Sequence, residues 1–283
     1  MSASDNAKNV AKYIIRQTPI GHLDKAKENL NVVVGEEIMD SDEIKNEIKE
    51  YSENHLNQID TENSSKVVIS SLTKDADGNY YDQSQKIKFQ VDFNSQKVLN
   101  SESVEVQNEL RDITDDVLKS YLEKYYKPEV TKSNVYFDQG SNKLVILISA
   151  HNINFKNFWS GEWLSTWELD VNSNNVKGNV KANTYYYEEG NIQFNLNTNF
   201  EETLKGNNNE EIAIAFVKAI EKNENNVQLE LENVYNDFSD KYIKPLRRKL
   251  PVTGTKMNWS LNQIHPLCPS GLTFFVLALS LLA

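Results

Sequence analysis

The stretch from Trp163 to Tyr187 decides the fold. Trp163-Leu164-Ser165-Thr166-Trp167-Glu168-Leu169-Asp170-Val171 is followed by Asn172-Ser173-Asn174 and then by Asn175 to Tyr187. Apolar and polar residues alternate on both sides of a three-residue polar turn, which is the period of two half-buried strands. The same pattern continues outward. Val135 to Phe137 and Lys143 to Ser149 precede it across Gln139-Gly140, and Asn191 to Leu196 follows it across Glu188-Glu189-Gly190. Parallel strands need long crossovers, so these short turns imply an antiparallel meander.

Helical patterns flank the meander. In the N-terminal direction, Val10, Ile14 and Ile15, then Leu23, Ala26 and Leu30, then Ile44, Ile48, Tyr51 and His55 recur at helical steps. Thr18-Pro19-Ile20-Gly21 separates the first two sets, and Ser41 stands at an N-cap position before the third. Residues 6–58 read as two or three short packed helices. Lys66 to Ser70 and Lys86 to Phe93 read as strands with turn chemistry at Asp75 to Asn79, and a helix is expected over about 104–126. After the meander, Ile212, Phe216, Ile220, Val227, Leu231, Val234, Phe238 and Tyr242 mark one helix, with neither Gly nor Pro between Gly206 and Pro245. Such a helix would run about 35 residues and roughly 50 Å. Its stripe must cover its own sheet and overhang it, or lie across strands that a partner supplies.

The fold class expected is therefore α+β, with N-terminal helices, a central antiparallel sheet and a long C-terminal helix crossing it. The divisions are 1–60 (helical), 61–128 (hairpin and helix), 129–204 (sheet), 205–246 (long helix), 247–260 (basic arm) and 261–283 (apolar tail).

The 283 residues carry 30 basic and 41 acidic side chains, and 39% are hydrophobic, enough for a sizeable core. The charge is uneven. Lys241, Lys244, Arg247, Arg248, Lys249 and Lys256 lie in a segment without acids, whereas residues 1–240 hold 24 basic against 41 acidic groups, a net of −17. An acidic body with a basic segment suits an acidic partner; a helix end whose cations complement the macrodipole is the other reading. Overall acidity argues against nucleic acid as partner. The single cysteine, Cys268, excludes a disulfide framework and a multi-cysteine zinc site. With no apolar signal run over Met1 to Val10, it favours the reducing cytoplasm.

Catalytic constellations are sparse. His22, His55, His151 and His265 are far apart in sequence, without metal-ligand spacing, and His151 reads as a satisfied polar residue. Asp75-Ala76-Asp77-Gly78-Asn79 places its Gly too early for a calcium loop. No phosphate-cradling loop or nucleophile elbow is present. The expectation is no metal, no cofactor and no enzyme.

Three motifs carry a resemblance. Asn157-Phe158-Trp159-Ser160-Gly161-Glu162-Trp163-Leu164-Ser165-Thr166-Trp167, Tyr185-Tyr186-Tyr187-Glu188-Glu189-Gly190-Asn191-Ile192-Gln193 and Leu246-Arg247-Arg248-Lys249-Leu250-Pro251-Val252-Thr253-Gly254-Thr255-Lys256 stand in register over about residues 8–259. Together they resemble the F-actin capping protein alpha subunit family. The resemblance implies half of an obligate, pseudo-symmetric heterodimer with a beta subunit, one joint sheet, and a mobile C-terminal arm. It also implies binding to the barbed, fast-growing ends of actin filaments, independent of calcium, in the cortical cytoplasm. Lys244, Arg247, Arg248, Lys249, Lys256 and Trp259 become the actin-binding candidates, the same cations also suiting acidic phosphoinositides. Phe158, Trp159, Gly161, Trp163, Trp167, Tyr187, Gly190 and Asn191 become the structural motif.

The departures are equally visible. Gly254 stands where the family has a further arginine, and Glu162 and Leu164 stand where it usually has basic residues. After about Trp259 the family continues with an amphipathic, partly basic helix, whereas this chain runs into the apolar stretch Leu272 to Ala283. That stretch is too short for a membrane span, and an abnormal, mis-spliced or frameshifted terminus is the expectation. The alternative function is a membrane-associated adaptor anchored by the basic arm and this tail.

Overall fold

The computed structural model describes residues 3–61, 65–188 and 192–238. Four helices open the chain: α1 (Ala3–Gln17), α2 (Leu23–Val34), the one-turn α3 (Glu36–Met39) and α4 (Asp42–Asn54). Their buried positions follow the helical period, Ala11 and Ile15 on α1, Leu23 and Leu30 on α2, and Ile44, Ile48 and Tyr51 on α4. Arg16 clamps α1 to α4 through two bonds to Glu47 at 2.5 and 2.6 Å. The turn between α1 and α2 needs its glycine: Gly21 has φ +83°, and a Cβ there would meet Ile153 Cδ1 at 2.8 Å. Ser41 occupies the N-cap position of α4, but its hydroxyl donates back to Ile38 O instead of capping the helix.

Two small sheets follow. β1 (Gln58–Asp60) pairs with β2 (Lys66–Val68), and β3 (Tyr80–Asp82), β4 (Ile87–Asp92) and β5 (Lys97–Ser103) form an antiparallel three-stranded sheet. The expected helix over 104–126 starts later, as α5 (Glu109–Tyr125), because Asn108 Oδ1 accepts from Arg111 N and caps it there. The polar Lys97 to Ser103, which pattern alone left unassigned, pairs along β4.

The centre is a meander of β6 (Thr131–Asp138), β7 (Lys143–Asn154), β8 (Trp159–Asp170), β9 (Asn175–Tyr186) and β10 (Ile192–Thr203), in that spatial order and all antiparallel. Most of its strands are longer than their apolar cores, because polar residues at the ends keep their ladder partners. One face carries Val135, Phe137, Leu144, Ile146, Ile148, Trp167, Leu169, Val176 and Val180 against α5 and α6 (Asn209–Phe238). Burying a side chain such as Phe216 of α6 stabilises by roughly 1.5–3 kcal/mol. The other face packs Val145, Leu147 and Leu164 against Leu56 and Val68 at its β6–β8 end.

α6 is 30 residues long, about 45 Å. Asn208 caps it, its Oδ1 accepting from Glu211 N at 2.8 Å. Its buried positions run from Ala213 to Val227, and Leu231 packs partly buried against the same core. Leu229 and Val234 are 58% and 52% exposed. Among the described residues, then, α6 both crosses its own sheet and overhangs it.

Candidate functional site

The tryptophan-rich motif is a packing device at the centre of the sheet. Phe158 adopts a left-handed conformation with φ +57° where the chain turns into β8, and its carbonyl accepts from Tyr187 N at 2.9 Å. The two rings meet edge to face at 5.6 Å. His22, from the α1–α2 turn, sits edge-on to Phe155, Tyr185 and Tyr187, and burial lowers its basicity. Trp159 pairs with Tyr186 at the strand end, and Trp163 packs at the border of the main core. Trp167 is fully buried and stacks on Phe200 at 5.7 Å. Gly161 is not crowded: a Cβ there meets nothing closer than 3.8 Å. The glycine that the tryptophan needs is Gly178, opposite it on β9, where a Cβ would lie 2.1 Å from the indole. No motif pointed to it; the signal was a glycine inside a strand pattern. Gly190 and Asn191 lie outside the described residues.

Two histidines that are far apart in sequence converge on one carboxylate. Glu162, buried on β8, accepts from His55 Nδ1 at 2.8 and 2.9 Å and from Asn183 Nδ2 at 2.5 Å. His151 Nε2 lies 3.8 Å from the same carboxylate and 2.9 Å from His55 O, and burial holds its pKa below the ordinary value. This joins the end of α4 to the sheet, and His151 has the polar partners expected of it. Leu164 simply fills the core beside Leu56 and Val68. Asp75 holds its own turn, accepting from Asn79 N and Tyr81 OH. Among the described residues, no group of three or more His, Cys, Asp or Glu is placed to hold a metal ion.

A second buried carboxylate lies beneath α6. Glu224 is 1% exposed and accepts from Tyr121 OH at 2.5 Å, Tyr126 OH at 2.7 Å and Ser165 Oγ at 2.5 Å. Ser165 in turn accepts from Trp167 Nε1 at 2.6 Å. Burial raises the Glu224 pKa, opposed by these hydrogen bonds, and burial beside this carboxylate raises both tyrosines. The apolar stripe read from the sequence steps from Ile220 to Val227, and the skipped position four residues on is Glu224. That gap was the available signal.

The outer edge of β10 is unpaired by any strand among the described residues. Its Ile192, Phe194, Leu196 and Phe200 alternate with exposed polar residues, on the face shared with α6. The overhanging end of α6 leads into the segment carrying Lys244, Arg247, Arg248, Lys249, Lys256 and Trp259, all of which lie outside the described residues, as does the apolar tail. Among the described residues no helix is long and apolar enough to cross a membrane.

Compared with known proteins, residues 11–265 match the sequence profile of the F-actin capping protein alpha subunit. The chain belongs to that family. Among its relatives, the F-actin-capping protein subunit alpha of Debaryomyces hansenii is 28% identical, over 92% of this chain and 94% of its own length. The subunit of Neurospora crassa is 31% identical over 68% of this chain and 70% of its own length, and that of Saccharomyces cerevisiae 26% over 91% and 93%. The fold agrees with that of a homodimeric actin capping protein alpha subunit from Plasmodium berghei, with a TM-score of 0.72, 23% identity, and coverage of 89% of this chain and 99% of that one. The meander, the flanking helices and the long α6 are thus the architecture of a capping protein alpha subunit.

Proposed function

We propose that this chain is a non-catalytic subunit that pairs with a capping protein beta subunit and, as a heterodimer, blocks the barbed ends of actin filaments without calcium. The observation that carries this reading is the family match itself, because its bounds, residues 11–265, take in the basic segment. The open β10 edge and the α6 overhang are where a second sheet and helix would continue the fold. Lys244, Arg247, Arg248, Lys249 and Lys256 supply charge-assisted contacts to acidic actin, and Trp259 an apolar one. An acidic body bearing this segment is steered toward the filament end by its basic side. Acidic phosphoinositides would compete for the same cations. The site of action is the cortical cytoplasm.

Seeded actin elongation tests this with the chain co-expressed with a beta subunit. Arrest of barbed-end growth at substoichiometric concentration is expected, and calcium chelation leaves it unchanged. A stable heterodimer that leaves elongation untouched would overturn the capping role. Charge reversal at Lys244 and Arg248 should weaken capping at least tenfold while leaving assembly intact.

A further inference from the structure

We infer that Glu224 is a positioning residue that fixes the register of α6 on the sheet and so sets the direction of the overhang that precedes the basic segment. The inference rests on reading that segment as the actin contact.

Glu224 stands in the buried stripe of α6, four residues after Ile220 and three before Val227, both fully buried. It therefore occupies a position that packing alone would give to Leu or Ile. Apolar contacts are tolerant of sliding, since one helix turn offers nearly the same stripe again. A buried acceptor is not, because its hydrogen-bond donors sit at single points, and leaving it unmatched is costly. Here the donors come from two different elements: Tyr121 and Tyr126 at the end of α5, and Ser165 in the middle of β8. Together they fix both the axial position of α6 and its rotation. Buried polar residues in an apolar seam specify helix register in this way. Asn223 beside it, donating through Nδ2 to Glu202 Oε1 of β10 at 3.0 Å, acts in the same sense, but Glu224 alone gathers three donors.

The location explains why register matters. Glu224 and Val227 lie near the end of the part of α6 that packs on the core, which Leu231 extends by one turn, and the described helix runs on to Phe238. A slip of one residue at Glu224 turns the overhang by about 100°, and a slip of one turn advances it by about 5.4 Å. The one-turn slip redirects the overhang while presenting nearly the same apolar stripe to the sheet, whereas the one-residue slip would also swing Phe216 and Ile220 off it.

The test is made on the full chain co-expressed with a beta subunit lacking surface cysteines. Cys268→Ser removes the native thiol, and spin labels are placed at Lys177→Cys on β9 and Val234→Cys on the overhang. The unmodified register should give one narrow distance by pulsed electron resonance. Glu224→Leu should assemble and melt within a few degrees of the parent, yet show a second or broadened distance and at least tenfold weaker capping. Glu224→Gln, which can still accept from both tyrosines, should restore the single distance and capping within about threefold. Tyr121→Phe/Tyr126→Phe, with the glutamate in place, should broaden the distance as Glu224→Leu does. It decides the matter if the leucine variant fails to assemble. One narrow, parental distance in both Glu224→Leu and the double tyrosine variant would overturn the inference. A parent heterodimer that shows the narrow distance but does not cap would overturn the capping role while supporting the register.

Discussion

The two edges of the central sheet are finished in opposite ways. At β6, side chains of the β3–β4 turn stand in for a sixth strand. Gln83 bonds Phe137 from both ends, its Oε1 accepting from Phe137 N at 2.8 Å and its Nε2 donating to Phe137 O at 3.1 Å. Ser84 Oγ accepts from Val135 N, and Asn134 Nδ2 donates to Tyr81 O. Arg111 of α5 holds the turn through Gln83 O. At β10, twelve residues of regular strand have no strand partner on the outer side among the described residues. An edge of that length invites pairing unless something blocks it. One edge is therefore closed within the chain and the other is open among the described residues.

The most direct way to break this contrast is a proline at the middle of β10. Neighbouring residues of a strand direct their N–H groups to opposite sides, so of Asn197→Pro and Thr198→Pro one removes an outward donor and the other a bond to β9. The outward variant should keep the fold by circular dichroism but lose co-purification with a beta subunit, a weakening of at least tenfold. Retention of full assembly by both folded variants would show that β10 is not the assembly edge.

The opposite manipulation belongs at β6. Gln83→Ala leaves Phe137 N and O buried without partners, a cost of about 2–4 kcal/mol. Urea unfolding of the heterodimer should show that loss, with the subunit ratio unchanged. If the ratio changed instead, the β6 edge would also take part in assembly.

That both edges have such different chemistry was only half legible in the sequence. The meander was visible because Trp163 to Tyr187 alternates cleanly and its turns are short, and α6 because its stripe repeats over many turns. The closed edge was not, because Gln83 and Ser84 look like ordinary turn residues. Their partners Phe137 and Val135 lie more than fifty residues away. The same limit hid the partners of Glu162 and Glu224. The gap in the stripe of α6 marks Glu224, but the donors to each carboxylate are brought in by the fold, His55 and Asn183 for one, Tyr121, Tyr126 and Ser165 for the other. The basic segment was legible from composition, since six cations without an acid stand out in any acidic chain.

Asp82 sharpens the account of the closed edge. It lies at the end of β3, fully buried, and burial pushes its carboxyl up to about 6 despite hydrogen bonds from Gln85 N and Nε2. Because the folded value lies above the ordinary one near 4, the native state holds this proton more tightly than the unfolded chain does. The stability it contributes is present below about pH 4 and lost as the pH rises through about 6. Asp82→Asn keeps an acceptor for Gln85 N and removes the buried charge. At pH 7 it should therefore be more stable than the parent by about 1–3 kcal/mol, the advantage vanishing near pH 4. Denaturant midpoints at the two pH values read this out, and an advantage equal at both would place the cause elsewhere.

The smallest effect expected is at the open side. On the exposed face of β9 and β10, Asn179 Nδ2 donates to Asn197 Oδ1 at 2.6 Å and to Asn199 Oδ1 at 2.7 Å. Hydrogen bonds in water exchange one partner for another, so Asn179→Ala should cost only about 0.5 kcal/mol, measured on the heterodimer. That small value is informative because it depends on the face staying wet. If the assembled protein lost about 1.5 kcal/mol or more, the amide ladder would have to be shielded there by the partner, and the assembly surface would extend from the β10 edge onto this face. A loss within the smaller range confines the contact to the edge and the α6 side, where the apolar residues of β10 already point.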